Sequence, residues 1–328
     1  MKKLDPLLVG IVVAAALAFV LPARGAFADG FAIAVKLAIA LLFFLYGARL
    51  STHEALKGLT NWRLHGVILA FTFVVYPLIG LLAQPTTAFL SDELYQGLLF
   101  MTLVPSTVQS SVAFTSIAHG NVSAALCSAT ASNLLGIVAT PLLAGVLLSS
   151  HGGFSGNAAL DIVVQLLLPF AAGQLSRPLI GGFVARHHAV LGLVDRGSIL
   201  LIVYTAFSDG VSHGIWHQVD ATQMATVLGL DAVLLAVVLL ITNFGSRLLG
   251  FSRADRIAIM FCGSKKSLAS GLPMASVLLA GQSVGLIVLP LMLFHQIQLM
   301  TCAALARRYA GAQESASHGA VPVLVRAR

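Results

Sequence analysis

Ten stretches of about 20 mainly apolar residues follow one another along this chain, each long enough to carry a helix across a lipid bilayer. They lie near 7–23, 31–50, 64–84, 95–118, 122–148, 158–182, 193–212, 222–249, 255–280 and 283–306. Segments of that length cross lipid as helices, because a helix satisfies its backbone hydrogen bonds within one segment. The expected fold class is therefore an all-α membrane protein. Composition agrees: 58% of the 328 residues are hydrophobic and 9% are charged, against roughly 25% charged in a soluble domain. Such a chain is not a water-soluble enzyme, a disordered segment or a coiled coil. Its net charge of +7 does not signal nucleic-acid binding, since the basic residues are scattered among short loops. Cys127, Cys262 and Cys302 sit inside apolar runs without CxxC or paired spacing. They read as small buried fillers rather than disulfides or metal thiolates.

Lysine and arginine set the orientation. With the N-terminus inside, fifteen of them fall on the cytoplasmic side: Lys2 and Lys3; Arg49, Lys57 and Arg63; Arg177, Arg186 and Arg196; Arg247, Arg253 and Arg256; Arg307, Arg308, Arg326 and Arg328. Arg24 alone falls outside, and Lys36, Lys265 and Lys266 lie within spans. The split predicts ten helices with both termini cytoplasmic, in a multi-pass protein of a bacterial inner membrane. Lys2 and Lys3, an apolar run and Ala26-Phe27-Ala28 also fit a cleavable signal peptide. The nine further spans favour a retained first helix.

The stretch Ser-Ser-His-Gly-Gly-Phe-Ser-Gly, ending at Gly156, reads as a flexible linker. It divides the chain into a first five-span repeat, 1–150, and a second, 151–309, followed by a cytoplasmic C-terminal tail, 310–328. An odd number of spans puts the second repeat in the membrane upside down, the inverted plan of secondary transporters. The fourth span of each repeat is unusually polar. One carries Pro105-Ser-Thr-Val-Gln-Ser-Ser-Val-Ala-Phe-Thr-Ser116, the other Cys262-Gly-Ser-Lys-Lys-Ser-Leu-Ala-Ser-Gly-Leu-Pro-Met274. Proline removes a helix hydrogen bond and clashes with the preceding turn, so breaks are expected at Pro105 and across Gly263, Gly271 and Pro273. The plainer alternative is a pair of kinked packing helices whose hydroxyls bond back to their own carbonyls. Matching breaks in two inverted repeats instead point to a binding site.

These residues carry a family resemblance. Five plus five spans, the Pro105 break, the His119-Gly120-Asn121-Val122 turn and the Gly263–Gly271 break together resemble the bile acid:sodium symporter superfamily. Within it the chain is similar to the symporter-like branch that includes a vertebrate Golgi member and a yeast regulator of calcium homeostasis. The resemblance covers nearly the whole chain, and the Gly-Asn-Val turn after a broken helix is its most specific element. It implies a panel domain of spans 1, 2, 6 and 7 and a core domain of spans 3–5 and 8–10, with broken spans 4 and 9 crossing. In the true symporters of that family, two sodium ions bind at the crossing and an organic anion such as a bile acid or a keto acid is carried.

Sodium needs a cage of oxygen ligands. The resemblance places them on hydroxyl and amide residues of spans 4 and 5, a glutamine on span 3, and a Glu and Gln on span 9. Matched from Gly120-Asn121, the two span 5 hydroxyl positions are Ala125 and Ala129 here. Matched from Gly263, the span 9 glutamate is Phe261, and the following Gln-Asn pair is Lys265-Lys266. Matched from Pro77, the span 3 glutamine is Thr72. Ser110 and Ser111 keep suitable oxygens, in a register blurred by one extra residue before His119. No cofactor is expected, and bound sodium, which the family would supply, is disfavoured.

A charge at the bilayer centre costs at least about 2.5–3.5 kcal/mol, so two adjacent lysines need a reason. Lys265 lies about ten residues into its span, near the middle at about 1.5 Å per residue and too deep to snorkel easily. The sharper reading puts an ammonium in the space of a sodium ion, bonded to Ser and Thr oxygens and to broken-helix carbonyls. Neighbouring ammoniums repel, which equips one to release a proton and leaves the other to pair with an anion. The candidate binding residues are Ser106, Thr107, Gln109, Ser110 and Ser111 at the first break and Ser264, Lys265, Lys266 and Ser267 at the second. Asn133 joins them from span 5, beside Thr130 and Ser132. His295 joins from span 10, near Gln296 and Gln298, either lining the cavity or packing. Lys36 is expected to reach the outer interface, and Asp231 to sit near the outer face or pair within the core.

Two functional classes fit. Secondary active transport of a small organic anion by alternating access, proton-coupled or sodium-independent, is favoured by the inverted repeat. The alternative is a non-transporting regulator of calcium or ion homeostasis, as the calcium-linked relatives suggest. No HExxH, nucleophile elbow, DxD or phosphate loop supports an enzyme, and no repeated filter residues support a channel. The expected partners are the lipid bilayer and a small organic anion, with no nucleic acid. The oligomeric state is not legible.

Overall fold

The computed structural model describes residues 6–49, 61–148, 156–214, 216 and 219–318, and among them every regular element is helical. In chain order these are α1 Pro6–Val20, α2 Ala26–Arg49, α3 Trp62–Leu82, α4 Asp92–Leu103, α5 Gln109–Ile117 and α6 Val122–Leu147. There follow α7 Gly156–Arg186, α8 His188–Ser212, α9 Ala221–Leu248, α10 Arg253–Gly263, α11 Leu268–Leu278 and α12 Val284–His318. Six of them, α2, α3, α6, α8, α9 and α12, are long and apolar enough to cross a membrane. Leucines point outward from the helices, with Leu179 89%, Leu248 88% and Leu82 79% exposed. Surface of that kind suits lipid rather than water. The linker expected at 150–155 lies outside the described residues. Helix α12 runs to His318, so the first part of the expected tail, 310–328, is helical, and its last ten residues lie outside the description.

Lipid tails are as apolar as leucine, so helices in a membrane are held by close packing and polar links rather than by burial alone. Here α2 lies along α7 and α1 along α8, while α4 packs on α12 and α10 on α6. A main apolar cluster, with Phe43, Tyr76, Phe100 and Phe294 among its largest members, runs through these contacts. A smaller one, including Leu64, Ile68, Phe71 and Ile259, joins α3 to α6 and α10.

Two interruptions shape the centre. The helix begun at Asp92, capped by Ser91 accepting from Leu94 N, stops at Leu103, and α5 restarts at Gln109. Pro105 explains the stop, because it has no N–H to return to the preceding turn. The second interruption separates α10, capped by Ser252, from α11, capped by Ser267. It is narrower than the sequence suggests. Only Ser264–Ser267 leave the helix; Gly263 ends α10, whereas Gly271 and Pro273 lie inside α11. Gly271 serves close packing instead: a Cβ there would lie 2.6 Å from Leu291 Cδ2 and 3.2 Å from Val104 Cγ1.

The turn after α5 docks one interrupted helix on the other. His119 takes a left-handed φ of 56°. Gly120 N bonds to Thr115 O at 2.8 Å and His119 N to Ser116 O at 3.1 Å, which closes the helix as a Schellman cap. Asn121 then caps α6 through Ala124 N at 3.0 Å and donates Nδ2 to Asp255 Oδ1 at 2.8 Å. A side chain at Gly120 would meet Ile257 Cγ2 at 2.5 Å, so the close approach to α10 requires glycine.

Candidate functional site

A broken helix strands backbone groups where lipid offers them no partner. The two breaks solve this by bonding to each other. Ser267 N donates to Pro105 O at 2.8 Å. Ser106 Oγ donates to Cys262 O at 2.6 Å and Ser111 Oγ to Phe261 O at 3.0 Å. Hydroxyls of the first break thus cap the carbonyl end of α10. Thr140 Oγ1 serves Leu103 O at 2.9 Å, Asn133 Nδ2 serves Ser106 O at 2.7 Å, and Tyr76 OH serves Ser264 O at 2.5 Å.

Lys266 completes the set. It is fully buried, and its Nζ donates to Thr72 O at 2.8 Å, Thr102 O at 2.6 Å and Val104 O at 2.9 Å. The ammonium also lies 4.2 Å from the centre of the Tyr76 ring, a favourable cation–π distance. Each carbonyl is free for a local reason. Thr102 and Val104 belong to the unwound end of α4. Thr72 lies in a π-helical segment, Phe71–Val75, in which Tyr76 N returns to Phe71 O. In that register Thr72 O awaits the N–H of residue 77, which is proline and has none. Gln298 fixes the lysine backbone from α12, accepting from Lys266 N at 2.9 Å and donating to Lys266 O at 2.7 Å.

Lys265 goes elsewhere. Also fully buried, its Nζ lies 3.9 Å from the centre of the Phe114 ring and 5.6 Å from that of Phe261. It has no hydrogen-bond partner among the described residues. Full burial of both side chains rules out snorkelling. The two ammoniums have different neighbours, Phe114 and Phe261 for Lys265, and the break carbonyls with Tyr76 for Lys266.

The remaining candidates form a second layer. Thr107 Oγ1 shares hydrogen bonds with Ser110 Oγ at 2.7 Å and Ser111 Oγ at 3.0 Å. Ser267 Oγ accepts from Ser270 N at 3.2 Å, and Ser270 Oγ donates to Asn133 Oδ1 at 2.6 Å. Each second half-helix is thus preceded by a hydroxyl, Thr107 or Ser267, with a serine three residues later, but only Ser267 caps its helix. Gln109 is exposed, and Ser110 and Asn133 are half-buried. Ser264 is turned inward, its Oγ bonded to Met260 O at 2.6 Å. His295 is half-buried, and Gln298 Nε2 lies 2.9 Å from its Nδ1. The crossing thus has an accessible polar rim and, behind it, a buried cationic layer.

Electrostatics sort these layers. A helix carries roughly half a positive charge at its N-terminus and half a negative charge at its C-terminus. The carbonyl ends of α4 and α10 face the lysine layer; α5 begins at the rim, at the exposed Gln109, and α11 begins inside, at the buried Ser267. Ala125 and Ala129 are fully buried and bring no side-chain oxygen, and the cluster of break carbonyls is occupied by Lys266 Nζ. The ligand set that the family resemblance implies therefore lacks two side-chain oxygens at Ala125 and Ala129, although Ser128 and Ser132 on the same helix are buried hydroxyls. Several members escaped the sequence reading: the Thr72 carbonyl, Tyr76, Ser270 and Thr140, and Gln298 as more than a neighbour of His295. Pro77 and the repeated hydroxyl-x-x-Ser pattern were the available signals. Asp231, expected at the outer face or paired, is fully buried on α9, and neither carboxylate oxygen has a hydrogen-bond partner among the described residues.

Apolar helices, outward leucines and two interrupted helices joined at a buried polar crossing define a multi-pass membrane protein of the transporter class. The chain belongs to the SBF-like CPA transporter family, whose model matches residues 5–311. It is 50% identical to an uncharacterised protein of Pseudomonas aeruginosa over 318 residues, 95% of each chain. It is 49% identical to YfeH of Escherichia coli, a candidate symporter by name, over 310 residues, 94% of this chain and 93% of that one. It is 31% identical to sodium/bile acid cotransporter 7 of Rattus norvegicus over 272 residues, 80% of this chain and 79% of that one. The resemblance read from the Pro105 break and the Gly-Asn-Val turn is thereby shown, and the protein is a transporter rather than an enzyme.

Proposed function

We propose that this protein is a secondary transporter of a small organic anion, working by alternating access without two bound sodium ions. The observation that carries this reading is Lys266 held by three carbonyls of the interrupted helices, where its ammonium serves as a tethered cation. The anion meets the rim, where Gln109 and Ser110 offer donors and two half-helix N-termini add positive potential. Paired contacts of the kind that inverted repeats would give support the scheme. An exchange of the first and sixth spans, and of the second and seventh, carries the α2–α7 contact onto the α8–α1 contact. The same exchange carries α4 against α12 onto α10 against α6. In this reading 1–150 and 151–309 are the two repeats, both termini are cytoplasmic in a bacterial inner membrane, and the core rocks against the panel.

The test is uptake of radiolabelled taurocholate and pyruvate into proteoliposomes under an inward sodium gradient, an inward proton gradient, or neither. The expected result is organic-anion uptake that persists when sodium is replaced by choline. Gln109→Ala or Ser267→Ala should impair it with abundance nearly unchanged. Uptake that collapses without sodium would overturn the coupling scheme, and unchanged uptake in both variants would move the binding site elsewhere.

A further inference from the structure

Away from the crossing, a cavity of about 390 Å³ opens between the end of α2 and the corner where α7 meets α8. That volume falls within the roughly 300–1,000 Å³ typical of small-molecule sites. Arg49, Arg177 and His188 line it, together with Ala48, Gly181 and Gly182, and its described lining contains no carboxylate. Small residues make the room. At Gly181 a Cβ would already lie 3.3 Å from Arg177 Cγ. Arg49 gives Nη1 to Asp195 Oδ2 at 2.5 Å, while its Nη2, like Asp195 Oδ1, is buried without a hydrogen-bond partner among the described residues. A guanidinium is a rigid fork of five donors, so one arm of this fork still needs an acceptor. The charge count places both arginines at the cytoplasmic boundary, where basic pockets between helices meet anionic headgroups.

We propose that this cavity binds a phosphate-bearing anion, with Arg49 Nη2 and the Arg177 guanidinium taking its oxygens. Guanidinium matches phosphate in geometry as well as charge. The same chemistry comes from a lipid phosphodiester headgroup or from free phosphate, and the experiment separates them.

Purified full-length protein in detergent is titrated with phosphatidylglycerol, phosphatidylcholine and inorganic phosphate, with binding read by native mass spectrometry and thermal unfolding. Saturable binding of phosphatidylglycerol that millimolar phosphate does not displace identifies the lipid. Binding of phosphate itself, displacing the lipid, identifies the free anion. Arg177→Gln should weaken binding by about tenfold or more, the loss of one charge-assisted hydrogen bond. Ala185→Leu, which fills the cavity and keeps both arginines, should weaken it likewise. Arg186→Gln makes the same charge change at an exposed residue whose Nε bonds to Gly182 O and should leave affinity unchanged. The proposal is overturned if phosphatidylglycerol and phosphate bind no better than phosphatidylcholine and chloride. It is equally overturned if Arg177→Gln and Arg186→Gln weaken binding alike, or if Ala185→Leu binds normally.

Discussion

Replacing Lys266 tests the tethered-cation idea most directly. In Lys266→Met the carbonyls of Thr72, Thr102 and Val104 lose their shared donor, and each buried orphan costs about 1–3 kcal/mol. Relief from desolvating the ammonium offsets part of that total. A net loss of about 3 kcal/mol is expected, which lowers the unfolding temperature by about 6 °C for a chain of this size. Lys266→Ala makes the same deletion but leaves space beside three carbonyl oxygens, a site suited to a small hard cation. With a dissociation constant of about 10 mM, 100 mM sodium would restore about 1.4 kcal/mol, or about 3 °C. The assay is thermal unfolding of wild type, Lys266→Met and Lys266→Ala in sodium, potassium, methylammonium or choline chloride at constant ionic strength. Rescue confined to Lys266→Ala is the expected pattern. The reasoning is refuted if Lys266→Ala responds to sodium no more than to choline and Lys266→Met is as stable as wild type.

Lys265→Met removes an ammonium with no hydrogen-bond partner among the described residues and leaves an apolar chain beside Phe114 and Phe261. Stability should hold or rise by about 1–3 kcal/mol, while any response of uptake to a pH jump disappears. Asp231→Leu should likewise raise the unfolding temperature, because it deletes a buried carboxylate with no partner among the described residues. A fall in uptake by that stabilised variant would give Asp231 a role in turnover, and full activity would make it dispensable. Gly120→Ala should cost about 1–3 kcal/mol by driving Cβ against Ile257, whereas His119→Gly should gain about 1 kcal/mol by relieving a left-handed residue. Paired thermal unfolding checks both.

The apolar stretches read from the sequence coincide with helices, and at 95–118 and 255–280 with pairs of half-helices. That much is legible because hydrophobic length and proline chemistry are local. The crossing is less so. Adjacency of Lys265 and Lys266 says nothing about direction once the backbone leaves the helix, and Ser267 already has an extended ψ of 111°. A single lining of lysines and hydroxyls was therefore the natural expectation, where the fold separates them into two layers. The π segment Phe71–Val75 has no residue signature of its own; only Pro77 hints that a carbonyl upstream is free. Proline was also a misleading guide at the second break. Pro273 is tolerated inside α11, and the capping Ser267 sets where that helix begins.

A tethered cation has an energetic consequence that a bound ion lacks. Sodium that enters from one side and leaves on the other releases the free energy of its gradient, whereas Lys266 never leaves the protein. It stabilises the stranded carbonyls and adds positive potential near the rim in every conformation, and so it lowers the cost of binding an anion equally on both sides. A ligand favoured equally in two states shifts no equilibrium between them. On the proposed function, then, Lys266 supports binding and integrity but not accumulation. Uphill transport has to draw on a group that changes state during the cycle, and Lys265 and Asp231 are buried ionisable groups without hydrogen-bond partners among the described residues. If neither Lys265→Met nor Asp231→Leu alters the dependence of uptake on a pH gradient, the protein equilibrates its substrate rather than concentrating it. Counterflow would then match wild type in both variants while net accumulation is absent in all three.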